Sequence, residues 1–264
     1  MKHALTLAPV PFDVKLMNGL TALMVIGVLL MLGLALTTWV ARWPLFALSG
    51  ITITGEVRHT NQVTLKANVT PKLNGHFFSI NLEQTRQVFL QMPWVRNALV
   101  EREFPNRLRV HLEEHRPVAY WGPASDERLL NSHGEIFSAN LGELDDDHLP
   151  RLSGPDNQSL LVLQAFEALQ QPFRDLGLEI ASLELSPRGS WRVRSEKGAT
   201  IEMGRGTPAE IQRKFMGFAQ TLPEASQRWG RRLNALEWAD LRHEGGYALR
   251  LRGVSTVEPQ KGVR

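Results

Sequence analysis

The chain has 264 residues, 43% of them hydrophobic, and no cysteine. The missing cysteines exclude disulfides, thiolate zinc sites, iron–sulfur clusters and cysteine nucleophiles. With 30 Lys+Arg against 27 Asp+Glu, the net charge is +3, too small an imbalance for a general phosphate-binding surface.

The first element is an apolar run. From Leu16 to Ala41 no residue carries a charge, and Lys15 and Arg42 bracket the stretch. At 1.5 Å rise per residue, roughly 20 such residues cross a hydrocarbon core of about 30 Å. Trp39 and Trp43 fall where an interfacial aromatic belt belongs. A cleaved signal peptide has a shorter apolar region and a small-residue cleavage site, and Trp39-Val-Ala-Arg-Trp-Pro makes a poor one. The run reads as an uncleaved transmembrane helix over 16–41. Lys2 and Lys15 against Asp13 favour a cytoplasmic tail over 1–15, with the rest of the chain outside or in a periplasm.

Charge divides that remainder. Residues 42–117 carry ten basic and six acidic side chains, 118–185 three and twelve, and 186–252 thirteen and seven. The opposite signs of the last two pieces suit neutralisation within one domain.

The first piece reads as a compact β-α-α-β-β unit over 42–117. Ala47 to Gly55 alternates as a strand. Val63, Leu65 and Val69 suggest a short helix capped near Thr60 or Asn61 and broken by Pro71 and Gly75. Asn81 caps a second helix through Leu90. Trp94–Glu103 and Leu108–Glu114 alternate around a Phe104-Pro-Asn-Arg turn, the pattern of a hairpin. Farther on, Asp156 or Asn157 reads as the cap of a helix to about Gln170. Ile180–Leu185, Trp191–Ser195 and Thr200–Met203 are strand-like. Thr207-Pro-Ala-Glu supplies a cap, a proline at the first helical position and a capping-box glutamate for a helix carrying Ile211, Phe215, Phe218 and Leu222 on one stripe. Leu233–Arg242 and Tyr247–Arg252 form a final hairpin around His243-Glu-Gly-Gly. The fold class is therefore α+β: the 118–252 piece is expected to be a helix-decorated antiparallel sheet, and 253–264 a flexible tail.

The sequence shows no recognisable catalytic motif. The eight histidines include no His-Glu-x-x-His pair. Asp145-Asp-Asp-His148 diverges along consecutive positions and reads as a solvated loop. Gly204-Arg-Gly-Thr lacks the Lys-Ser/Thr of a phosphate loop, and no Gly-x-Ser-x-Gly or Ser-x-x-Lys occurs. Glu113 and Glu114 point to opposite faces of one strand. No catalytic, metal or cofactor residues are assigned.

Several words in sequence order carry a resemblance. They are Ile51-Thr-Ile-Thr-Gly-Glu, Phe78-Ser-Ile-Asn-Leu, Pro93-Trp-Val, Arg102-Glu-Phe-Pro-Asn-Arg-Leu-Arg-Val and Glu113-Glu-His-Arg-Pro-Val-Ala. Together they resemble the POTRA module. Placed after one N-terminal anchor, and followed by Leu129-Leu-Asn-Ser-His-Gly-Glu-Ile-Phe, Leu149-Pro-Arg-Leu-Ser-Gly-Pro, Trp191, Gly204-Arg-Gly and Asp240-Leu-Arg, they resemble the FtsQ/DivIB cell-division family over about residues 16–252.

The resemblance implies a non-enzymatic divisome scaffold in the inner membrane at the septum. It would bind FtsB and FtsL directly, act through them on the FtsW–FtsI synthase, and meet other division proteins such as FtsK and FtsA. It places partner binding at the last sheet edge, on Leu241, Arg242, His243, Glu244, Gly245, Gly246 and Tyr247, with Arg188 as a second basic contact. Strand addition is the physical route. The alternatives are a transport or outer-membrane assembly module, where POTRA units also occur, and a membrane-anchored cell-wall enzyme, for which no nucleophile or metal motif is present.

Overall fold

The computed structural model describes residues 12–41, 44–59, 69, 76–144, 148–243 and 245–254. The expected elements at 1–11, at 60–68 and over Asp145–Asp147, together with Trp43, Glu244 and the tail from 255 on, lie outside the described residues.

Helix α1 (Phe12–Ala41) is long and apolar enough to cross a membrane. Its side chains are exposed from Phe12 to Val40. A helix that is apolar all round and exposed along its described length has lipid as its natural solvent.

The rest divides into two compact units. One joins the described residues up to Gln91 with Asn97–Glu113. The other joins Met92–Arg96 with the described residues from Glu114 onward. In the first, β3 (Arg107–Glu114) lies between β1 (Gly50–Thr54) and β2 (Val95–Glu103). β1 runs parallel to β3, with Gly50 opposite Arg107 and Thr54 opposite His111. Helix α2 (Leu82–Leu90) starts where Asn81 accepts a hydrogen bond from the Gln84 amide, the expected cap. It buries Phe89 with Ala98, Val100, Leu108, Val110 and Leu112. Of the expected preceding helix only Val69 is described, and it is buried.

The second unit is built on a nine-stranded sheet ordered β12-β11-β10-β9-β8-β7-β4-β5-β6. Its strands are β4 (Pro117–Trp121), β5 (Arg128–Asn131), β6 (Ile136–Ser138), β7 (Arg151–Ser153), β8 (Ile180–Leu185), β9 (Ser190–Ser195), β10 (Thr200–Arg205), β11 (Leu236–Asp240) and β12 (Ala248–Leu251). The sheet is mixed where alternation alone suggested antiparallel: β4·β7, β7·β8 and β10·β11 are parallel. The last two joints follow from helical crossovers, since a parallel neighbour needs a long connection. Helix α3 (Ser159–Asp175) links β7 to β8, and α4 (Pro208–Arg228) links β10 to β11. β7, β8, β10 and β11 all point the same way and both crossovers step in the same direction along the sheet, so right-handed connections put both helices on one face. There Phe173 of α3 stacks on Phe215 of α4 at 4.1 Å between ring centroids. Leu183, Trp191, Val193, Ile201 and Ala239 rise from the strands into the same core.

Local signals are met unevenly. Thr207 and Glu210 close the expected capping box of α4. The predicted Asp156 or Asn157 cap of α3 is not formed. Residues Asp156–Gln158 make a short 3-10 turn, and α3 starts at Ser159 without a side-chain cap. Asp156 is taken by tertiary partners instead, accepting from Trp121 Nε1 at 2.8 Å and Arg128 Nη1 at 2.9 Å. α3 also runs past Gln170, through Pro172. Proline cannot donate to the Ala168 carbonyl four residues back, and Gln212 Nε2 of α4 donates to it at 2.8 Å instead.

Candidate partner-binding edge

The strand directions gather three loops at one end of the sheet: the β8–β9 turn, the chain leaving β10, and the β11–β12 turn. Arg188 is exposed on the first. Residues 241–247 make the last. Arg188 and Arg242 thus share one end of the sheet, separated by a few strand spacings of about 4.8 Å each.

β12 ends the strand order and pairs only with β11 among the described strands, Ala239 opposite Leu249 and Asp240 opposite Ala248. Its outer backbone is an open template for another strand. Leu249 and Leu251 turn inward onto the core, while Ala248, Arg250 and Arg252 are exposed.

The turn before β12 is pinned rather than loose. The Leu241 amide donates to the Glu202 carbonyl at 2.7 Å, and its side chain is only 5% exposed. Leu241 therefore holds the edge from the core side. Arg242 donates from Nε and Nη2 to the Asp240 carboxylate, which also accepts from the Arg242 amide. Those bonds hold the Asp240 carboxyl below its usual range despite its burial, and they raise the Arg242 guanidinium. Asp240 ends a rung of charge across the sheet. Glu184, Arg192, Glu202 and Asp240 are successive cross-strand neighbours, and Arg192 Nε donates to Glu202 at 2.6 Å. Signs alternate from Glu184 through Arg192 to Glu202, which is stabilising, whereas Glu202 and Asp240 are like-charged across the last joint, where the Arg242 guanidinium compensates both.

His243 is exposed, as are Gly245 and Gly246, with Gly245 at φ +81°. Tyr247 is half-buried: its ring meets Phe218 edge-on at 4.9 Å, and its hydroxyl donates to Thr221 Oγ1 at 2.8 Å. Glu244 lies outside the described residues. The structure thus gathers Arg188 and the described residues of 241–247 at one sheet end but gives them different surroundings. Arg250 was missed by the sequence reading. The alternation Ala248-Leu-Arg-Leu-Arg was its signal, since it puts both arginines on the exposed side of the strand.

Comparison with known proteins bears on what this edge belongs to. The family model for the FtsQ-type POTRA domain matches residues 46–115, and the model for the C-terminal part of cell division protein FtsQ/DivIB matches 119–242. The cell division protein FtsQ of Burkholderia pseudomallei is 36% identical over 247 residues, covering 92% of this chain and 94% of that protein. The chain belongs to the FtsQ/DivIB family. The FtsQ proteins of Thiomonas arsenitoxydans and Bordetella pertussis are each 34% identical, over 251 and 255 residues, with 90% of each covered. The FtsQ/DivIB C-terminal match takes in Arg188, Leu241 and Arg242 and stops within the turn, before β12. The POTRA match encloses β1, α2, β2 and β3, the module that the resemblance implied.

Proposed function

We propose that the chain is a non-enzymatic, single-pass scaffold of the bacterial divisome, working at the septum of the inner membrane. In this reading 1–15 is a cytoplasmic tail and 16–41 spans the membrane. A POTRA domain over 42–117 and a β domain over 118–252 stand in the periplasm, followed by the segment 253–264. FtsB and FtsL bind directly, and the FtsW–FtsI synthase is reached through them. FtsK and FtsA are further partners in the same assembly.

Family membership supports the division role. The observation that carries the mode of binding is β12: a terminal strand, open on its outer side, with Arg250 exposed along it and Arg242 and Arg188 at one end. An added partner strand gains its affinity from main-chain hydrogen bonds, and the arginines select acidic side chains at its ends. The test is crosslinking in cells with a photoreactive residue at Ala248 or Arg250. FtsB adducts are expected there and not at Ser138, on the β6 edge at the other end of the sheet. Equal adducts at both edges, or none at β12, would overturn the edge-strand reading.

A further inference from the structure

The first unit carries an aromatic cluster that its own core does not absorb. Leu45 is 64% exposed, Phe78 50% and Phe104 74%, while Phe77 beneath them is 5% exposed. Phe46 lies 4.9 Å from Phe78 and 6.3 Å from Phe104 between ring centroids, and Phe77 packs edge-on to both Phe78 and Phe104. Four aromatic rings from three separated segments therefore form one surface.

The cluster is held firmly. The Phe77 amide donates to the Phe46 carbonyl at 3.0 Å, and Ala47 bridges His76. Arg102 reaches from β2 to donate Nε to the Phe77 carbonyl at 2.8 Å and Nη2 to the Ile80 carbonyl at 2.9 Å. Ser49 ties the chain entering β1 to the β2–β3 turn through Asn106, amide to carbonyl at 2.9 Å and hydroxyl to Oδ1 at 2.9 Å. A contiguous exposed apolar patch on so well-bonded a backbone marks an interaction surface with an apolar or interfacial partner.

Topology says where that environment is. Because β1 and β3 are parallel and start opposite each other at Gly50 and Arg107, the turn carrying Phe104 must lie at the end where β1 begins. That end is where the chain arrives from α1. Leu45 is four residues past Ala41, the last residue of α1, so at 3.8 Å per step it lies within roughly 15 Å of the helix end. That is comparable to the combined reach of an interfacial layer, about 5–7 Å on each side of the bilayer, and an aromatic side chain. Phe and Leu side chains gathered on one face are the kind that bury into the boundary between headgroups and acyl chains.

We propose that Leu45, Phe46, Phe78 and Phe104 form a lipid-facing platform that seats the POTRA unit in the headgroup layer of the bilayer crossed by α1. The platform adds a second point of attachment to the bilayer beside α1, which fixes which surfaces of the POTRA unit remain open to partners. Apolar side chains immersed at the interface add to the anchor's hold without crossing the membrane. This inference rests on the reading of α1 as a membrane anchor.

The cysteine-free sequence allows a direct test on the full chain in vesicles of phosphatidylethanolamine and phosphatidylglycerol. Single variants Phe104→Cys, Phe78→Cys, Leu99→Cys and Leu29→Cys are labelled with an environment-sensitive fluorophore. Lipids then carry a quencher either just below the headgroup or deep in the acyl chain. Leu99, an exposed apolar residue of β2 away from the cluster, controls for apolarity alone. Shallow quenching at positions 104 and 78 is expected to exceed that at 99 by roughly threefold, as interfacial rather than aqueous placement requires. Deep quenching is expected at 29. Quenching at 104 and 78 no stronger than at 99, with 29 still quenched, overturns the platform and leaves the anchor standing. Loss of quenching at 29 as well overturns both.

Discussion

Arg242 closes a fork on Asp240, two residues before it: Nε lies 2.9 Å from one carboxylate oxygen and Nη2 2.6 Å from the other. The carboxylate is 4% exposed, and the arginine crosses Gly204 of the neighbouring strand to reach it. The pair locks the path of the chain as it leaves β11 and so sets where β12 can begin.

Asp240→Asn is expected to lower stability by about 1–3 kcal/mol near neutral pH, because a buried charged acceptor of several hydrogen bonds becomes a neutral one. The sign of the pH dependence follows from the depressed carboxyl. Its folded pKa lies below the ordinary 3.8, so the native chain binds fewer protons there than the unfolded chain. The stabilisation is full above the ordinary value and is lost as pH falls through the folded one. Thermal unfolding of the detergent-solubilised native and variant chains should show a constant gap between about pH 5 and 8, closing below about pH 4. A gap that widens in acid would contradict the assignment. Carboxylates remote from Asp240 are common to both chains and cancel in the difference.

Gly204 is the next constraint on the same pair. It sits at φ +73°, and a Cβ there would stand 3.1 Å from Arg242 Cγ. Gly204→Ala is expected to cost about 1–2 kcal/mol through the left-handed backbone alone. It should also push Arg242 off its fork, so Gly204→Ala and Asp240→Asn combined should lose less than the sum of the two. Full additivity would mean that the glycine and the ion pair act independently.

The Gln212 bond to the Ala168 carbonyl offers a sharper cycle. Gln212→Ala is expected to cost about 1 kcal/mol, since it leaves a helical carbonyl without its donor. Pro172→Ala restores an amide four residues after Ala168. In the Pro172→Ala background, Gln212→Ala should therefore be nearly neutral. An unchanged cost there would show that Gln212 stabilises through some other contact.

These cases mark what was legible in the sequence. Asn81 and Thr207 cap their helices as read, because capping is local and its donors lie within three residues. The apolar run of α1 is equally plain, since length and composition decide it. Asp156 misled because a carboxylate beside a helix start can serve a distant Trp121 and Arg128 instead. The parallel joints β4·β7, β7·β8 and β10·β11 were not legible, since alternation reports which face a residue takes and not which strand lies beside it. At the candidate edge, Leu241 reads as a contact residue until its amide and side chain are seen to be spent on the sheet. Arg242 reads as an open cation until Asp240 is seen beneath it.

That last point determines how the edge should be probed. Arg242→Glu would set a second carboxylate against Asp240, so weakened partner binding by that variant would mix a lost contact with a damaged turn. Arg250 separates the two. It is exposed on β12 and stands opposite Trp238 in the ladder. Arg250→Glu is expected to leave the unfolding temperature of the solubilised chain within about 2 °C of native, as for most exposed substitutions. It should weaken binding of an FtsB-derived acidic peptide by about tenfold, the effect of reversing one charge against an opposed partner. Arg242→Glu should lower both quantities. The affinity loss for Arg250→Glu should shrink as salt is raised, because an exposed charge pair is screened within about 8 Å at physiological ionic strength. Native affinity in Arg250→Glu, with the fold intact, would remove the exposed face of β12 from the binding surface.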